Sequence, residues 1–348
     1  MRETAAPGGW FSETALRPYH PGMGSLPPIL RLATRGSFLA RTQSAQVAEL
    51  LRPHLPAGVS IELVTITTSG DRQADRPLQD AGGKGLFVKE LDEALLSGAA
   101  DFAVHSAKDL PVERSAELVI AATPAREDPR DVWIGRGGVS IDDLPPGSLV
   151  GTVSLRRQAQ LLSRRPDLRV APLRGNIDTR LRKVAQGEGG IAGTFLAAAG
   201  LRRAGLWPPE AMPLETDQFV PAAGQGILAI EARRADAALL QVLARIHDRV
   251  TAACLSLERG LIASLAGNCL APIGVVAQPR DVVEGRRQPG YLVRALVATP
   301  DGRQMARAAL MAQQDEIAAL EALGPLLLQT LERRGAREIL AAGGATNG

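Results

Sequence analysis

The chain has 348 residues, only two cysteines and a net charge of +3. So few cysteines exclude a disulfide scaffold and point to a reducing, cytoplasmic setting, no apolar run has the length to cross a bilayer, and the N-terminus lacks the basic stretch and apolar core of a signal peptide. Aromatic residues, at 3%, are too sparse to build the stacking platforms of a nucleic-acid surface.

Residues 1–28 show no hydrophobic periodicity and are expected to form a disordered extension, with Met23 as a second possible start. A buried strand over 29–33 leads through the loop Thr34-Arg35-Gly36-Ser37 into a helix that carries Leu39, Val47, Leu50 and Leu51. A strand over 61–67, a helix over 87–96 and a short strand over 101–105 follow. Past Arg126-Glu127-Asp128-Pro129-Arg130 the plan restarts. It gives a strand over 149–152, a helix over 155–163 stopped by Pro166, a strand over 170–173, the loop Arg174-Gly175-Asn176, and a helix through Leu181 and Val184. Each half therefore reads strand, short polar loop, helix with arginine near its start. Helix N-termini present unpaired N–H groups that favour anions, so two similar α/β lobes with a ligand cleft between them are expected.

Gly224-Gln225-Gly226 matches a dinucleotide fingerprint in letters, but 227–232 reads as a strand where that motif needs a helix. The stretch 81–87 lacks the Ser or Thr after Lys84 that a phosphate loop requires. The segment 236–265 reads as one helix. Cys254 falls on its stripe Val250, Cys254, Leu257, Leu261, Leu265, which makes it a core residue. Strands over 274–278, 291–298 and 304–311, the last two joined at Pro300-Asp301-Gly302, precede a helix carrying Ile317, Leu320, Leu327 and Leu331. Residues 340–348 are expected to fray. The fold class is α/β in three domains. The expected boundaries are 29–126 with 227–244, then 127–222, then 245–340.

Of the 40 Lys and Arg residues, all but Lys84, Lys89, Lys108 and Lys183 are arginine. Guanidinium forks grip carboxylates and phosphates in a bidentate way, so a small polyanionic ligand is expected. The second cysteine, Cys269, lies in Gly267-Asn268-Cys269-Leu270-Ala271-Pro272, a turn-rich stretch where a thiolate is reachable, and is the candidate nucleophile. Lys108-Asp109 ends a strand, where open α/β sheets bind ligands. The four histidines show no metal-ligand spacing.

These motifs stand in one order: 33–37, Gly82 to Leu91, Val104 to Asp109, Arg126 to Asp131, Ser154 to Gln158, Leu173 to Asn176, Pro221 to Gly226, and the Cys269 loop. From Leu30 to about Leu340 the chain resembles the porphobilinogen deaminases. The resemblance implies two lobes like those of periplasmic binding proteins, a third domain, and a dipyrromethane cofactor joined to Cys269 by a thioether. It implies a cytoplasmic, monomeric transferase of tetrapyrrole biosynthesis, with no metal, no nucleic acid and no membrane. That enzyme joins four porphobilinogens head to tail, releases ammonia each time, and hydrolyses the product to hydroxymethylbilane. By match, Asp109 is the catalytic carboxylate and Arg35 assists loss of the amine. Ser37, Lys108, Asp109, Thr152, Ser154, Arg156, Arg157 and the Gly175 backbone would hold the cofactor. Arg35, Arg174, Arg180, Lys84, Phe87 and Gln225 would receive substrate. Asp80, Ser69 and Val153 depart from the family pattern, and so does the glycine-rich run 189–194, whose strand register is left open. A non-catalytic two-lobed anion binder is the alternative and would need neither Cys269 nor Asp109.

Overall fold

The computed structural model describes residues 26–68, 88–266, 271–283, 286–313 and 316–345. β1 (Ile29–Arg35) buries Leu30, Leu32, Ala33 and Thr34. Ser37 then caps α1 (Phe38–Leu51), its hydroxyl accepting from the Ala40 N–H, as a polar side chain at a helix start should. β2 (Ser60–Ile66), α2 (Lys89–Leu96), β3 (Phe102–Ser106) and β4 (Leu118–Ala122) complete the first run. The second run holds β5 (Asp131–Gly135), β6 (Leu149–Gly151), α3 (Leu155–Arg164), β7 (Arg169–Ala171), α4 (Ile177–Gln186), β8 (Ile191–Ala197), α5 (Ala198–Ala204) and β9 (Met212–Pro213). The chain returns as β10 (Leu228–Arg233) and α6 (Ala237–Leu243). It ends in α7 (Arg249–Ala266), β11 (Ile273–Val283), β12 (Arg286–Ala298), β13 (Met305–Ala312), α8 (Ile317–Arg333) and α9 (Ala336–Ala345).

Two sheets share one plan. Their strand orders are β2-β1-β3-β10-β4 and β7-β6-β8-β5-β9. In each, the first three strands run parallel and the fourth is antiparallel to both neighbours. That fourth strand is the one laid down just after the chain changes lobe: β5 on the way out, β10 on the way back. Two crossings therefore join the lobes and meet beside the fourth strands. Leu32, Val47, Leu51, Phe102 and Ile230 fill the first core, while Trp133, Leu161, Phe195 and Phe219 fill the second. The third sheet, β11-β12-β13, packs against α7 and α8 around Leu257, Tyr291, Val293 and Leu327.

Cys254 lies in that third core, where burial pushes its thiol up to about 12. It is not a nucleophile at neutral pH, as its helical stripe implied. β10 is a strand, so the Gly224–Gly226 run is not a dinucleotide loop.

Several expectations need correction. The helix expected over 236–265 is two, because Asp236 and Asp248 each start one: their carboxylates accept from the Leu239 and Thr251 N–H groups. Of the leucines on α1, Leu50 is 49% exposed, since the helix turns its neighbours Val47 and Leu51 inward. The expected extension reaches too far into the chain. Leu26 packs on the first core and the Pro28 carbonyl accepts from the Ser60 N–H. Likewise α9 runs to Ala345 with Ile339 buried, so 340–345 is helical. Strands β4, β5 and β9 carried no alternation to read. In the run 189–194, a turn at Glu188–Gly190 precedes β8, and the register against β6 slips between Leu149 and Val150.

Candidate active site

β3 ends in a single 3-10 turn, Ala107–Asp109, pinned by the Ala107 N–H donating to the Ile227 carbonyl. The turn leaves Asp109 exposed and Lys108 half-buried. β1 runs parallel to β3 in the register Ala33↔Ala103, so Arg35 ends at the same sheet edge as this turn. The Ser37 hydroxyl accepts at its helix cap and keeps its own O–H to donate. Lys108 Nζ lies 3.5 Å from Gln225 Oε1. Burial pulls the Lys108 ammonium down to about 8; Asp109 and Asp131 oppose that shift, and Arg157 and Arg156 add to it.

The second lobe faces this edge with two helix starts. Thr152, buried at the end of β6, accepts from the Ser154 N–H at 3.1 Å. Ser154 caps α3 by accepting from the Arg157 N–H. Arg156 and Arg157 are both buried and converge on Asp131, the first residue of β5. Arg156 Nη1 donates to Asp131 Oδ2 at 2.6 Å and to the Val220 carbonyl at 2.7 Å. Arg157 donates to Asp131 Oδ1 from Nε at 2.9 Å and Nη2 at 2.6 Å, and to the Phe195 carbonyl from Nη1 at 2.8 Å. Burial alone would raise the Asp131 carboxyl, but the two guanidinium charges hold it well below the usual carboxylate range.

The second helix start is the loop Arg174-Gly175-Asn176 before α4. Gly175 sits at φ +113°, and a side chain there would meet Thr179 Cγ2 at 2.8 Å, so glycine is required. Arg180 Nε donates to the Gly175 carbonyl at 2.7 Å. Burial brings Arg180 down to about 10, helped by Arg157 and Arg174 and opposed by Asp109. Asp109 from the first lobe therefore acts on Arg180 of the second.

Gln225 lies on the return crossing and is buried. Its amide donates to the Pro129 carbonyl at 2.7 Å and to Asp131 Oδ1 at 3.2 Å, which joins the two crossings. Cys269, Lys84 and Phe87, with Asp80 and Ser69, lie outside the described residues.

Sequence reading missed two residues. Asp131 stood in a quoted motif, but nothing local marked it as the meeting point of Arg156 and Arg157. Glu258 is fully buried in α7 and accepts from Arg126 Nη1 at 2.6 Å, the Gly224 N–H at 2.6 Å and the Ala277 N–H at 2.8 Å. A carboxylate beside the apolar stripe Leu257 and Leu261 was the available signal, because buried charges need partners. Among the described residues no cluster of His, Cys, Asp or Glu could hold a metal ion, and no helix is long and apolar enough to cross a membrane.

Among the described residues, Asp109, Asp131, Arg156 and Arg157 act on Lys108, and Asp109, Arg157 and Arg174 act on Arg180. The molecule is a two-lobed α/β protein whose lobes bring these cations together with Asp109 and Asp131. Residues 30–241 match the family model "Porphobilinogen deaminase, dipyromethane cofactor binding domain". The porphobilinogen deaminase of Bordetella parapertussis is 45% identical over 90% of this chain and 95% of its own. That of Sorangium cellulosum is 46% identical over 81% and 91%. Among solved structures, the periplasmic aliphatic sulphonate binding protein SsuA from Escherichia coli aligns over 69% of this chain and 70% of its own. Its TM-score is 0.37 at 15% identity, too slight a likeness to argue from. The chain belongs to the porphobilinogen deaminase family, as its motifs led us to expect.

Proposed function

We propose that the chain is a transferase that joins four porphobilinogens head to tail with loss of ammonia and then hydrolyses the product to hydroxymethylbilane. The observation that carries this is the surplus of cations over carboxylates among the described groups that act on Lys108 and Arg180, two side chains whose pKa burial already lowers. Each pyrrole of the substrate and of a dipyrromethane bears an acetate and a propionate. The donor set therefore fits a dipyrromethane, whose carboxylates would neutralise the surplus.

In this reading Cys269 holds the cofactor through a thioether, and when bound the cofactor supplies the nucleophilic pyrrole carbon. Ser37, Lys108, Thr152, Ser154, Arg156, Arg157 and the Gly175 backbone hold its carboxylates and ring N–H groups. Arg35, Arg174, Arg180 and Gln225, with Lys84 and Phe87, receive the incoming porphobilinogen. Asp109 is exposed at the sheet edge, where it can pass a proton to the departing amine and then, ionised, oppose the positive charge left behind. Arg35 sits at the same edge and assists that departure. We assign residues 29–126 with 227–244 to the first lobe, 127–222 to the second and 245–340 to the third domain. A monomer in the cytoplasm, acting on small molecules alone, completes the proposal.

Intact mass under denaturing conditions tests it. The purified chain should exceed its sequence mass by two pyrrole units, and Cys269→Ala should lose both the excess and ammonia release. A chain of unmodified mass that binds porphobilinogen without releasing ammonia would be the non-catalytic anion binder instead.

A further inference from the structure

We infer that Asp131 is a positioning residue whose charge gathers Arg156 and Arg157 into one receiver for cofactor carboxylates. The inference rests on the reading above that these arginines hold the cofactor. Successive residues on a helix point about 100° apart, and neighbours in sequence do not face each other. Arg156 and Arg157 open α3 side by side, so their guanidinium groups should diverge. They converge because Asp131 offers one oxygen to each: Oδ2 to Arg156 at 2.6 Å, Oδ1 to Arg157 at 2.6 and 2.9 Å. The Val220 carbonyl accepts from the same Arg156 Nη1, and the Phe195 carbonyl accepts from Arg157 Nη1, which further restrains each group.

Asp131 itself cannot drift. It is fully buried, its β5 backbone pairs with Ala197, and its carbonyl accepts from the Leu214 N–H at 2.9 Å. Gln225 donates to Asp131 Oδ1 and accepts from Lys108, which ties the pair to the turn bearing Asp109. One carboxylate between two guanidinium groups leaves a cation surplus, as a carboxylate receiver requires. A cluster serving stability alone gains nothing from such a surplus, since buried charges tend to cost more than apolar side chains of the same size.

The test uses the full chain expressed in cells that cannot make porphobilinogen. Wild type, Asp131→Asn, Asp131→Glu, Arg156→Gln and the double variant Asp131→Asn/Arg156→Gln are incubated with porphobilinogen. The two-pyrrole mass gain is followed over time, and each melting temperature is measured before loading. Asp131→Asn should load at least about tenfold slower than wild type at the 1.4 kcal/mol-per-decade scale, and Asp131→Glu several-fold slower at an unchanged melting temperature. The double variant should load no slower than the worse single, because both changes disable one receiver. If Asp131→Asn fails to fold, Asp131→Glu decides alone, and loading at the wild-type rate overturns the inference. Losses that multiply in the double variant, or that track melting temperature across the set, also overturn it. A wild type that never gains the mass defeats the cofactor reading itself, and the inference with it.

Discussion

The two lobes share a sheet plan, and each carries a buried carboxylate on its fourth strand, yet the charge around those carboxylates differs. In the first lobe Glu231 on β10 accepts from Arg114, lies 3.2 Å from His105 Nε2, and shares Arg114 with Asp92. Burial alone would raise Glu231, but His105 and Arg114 hold it below its ordinary range, while burial lifts Asp92. Two carboxylates there share one arginine and one histidine. In the second lobe one carboxylate, Asp131, faces two arginines. The first cluster sets two carboxylates against one arginine and a histidine, and so joins strands to helix. The second keeps positive charge in reserve. Under the proposed reading, equivalent strands in one topology therefore serve stability in one lobe and ligand capture in the other.

The largest effect should come from the group the first lobe lends to the cleft. Asp109→Asn keeps size and hydrogen bonding but removes the acid, so single-turnover ammonia release should fall by about 10²–10⁴-fold with melting unchanged. Asp109→Glu should retain more activity than the amide. An Asn variant with wild-type ammonia release would pass the role to another residue.

Next comes the cluster of the first lobe. Glu231→Gln leaves Arg114 and His105 without their shared partner and should cost about 3–5 kcal/mol of stability in urea unfolding. The molecules that remain folded should load cofactor and turn over normally. Impaired loading at full foldedness would erase the distinction between the two clusters.

A smaller, pH-dependent effect sits on Lys108. Its pKa is about 8 in the folded chain and about 10.4 when unfolded. Between those values the unfolded state binds more protons, so stability should rise as pH rises through that window. Below about 8 both states are protonated and the slope vanishes. Lys108→Met should flatten the rise seen in melting temperature from pH 8 to 10; an identical slope in both proteins would place the titration elsewhere. At the bottom of the scale, Arg333 is exposed near the end of α8, and Arg333→Ala should stay within about 0.5 kcal/mol of wild type with normal loading.

Much of this was legible in the chain itself. Hydrophobic pattern and short polar loops gave β1, α1, β6, α3 and the strand character of β10, because those signals act within a few residues. Cys254 was readable as core from its helical stripe alone. The ordered motifs pointed to the family and named Asp109, Lys108 and the arginines as site residues. The rest depended on groups far apart in sequence. No local pattern says that β5 and β10 exchange places between sheets, that one aspartate collects two adjacent arginines, or that Gln225 reaches Pro129 and Asp131. A hydropathy stripe likewise cannot reveal Glu258, whose burial is tolerable only because Arg126 and two backbone N–H groups from other elements arrive to meet it. Hydrophobic period and helix caps are properties of neighbours along the chain. Compensation of a buried charge is a property of neighbours in space, and only the folded arrangement of the two crossings supplies them.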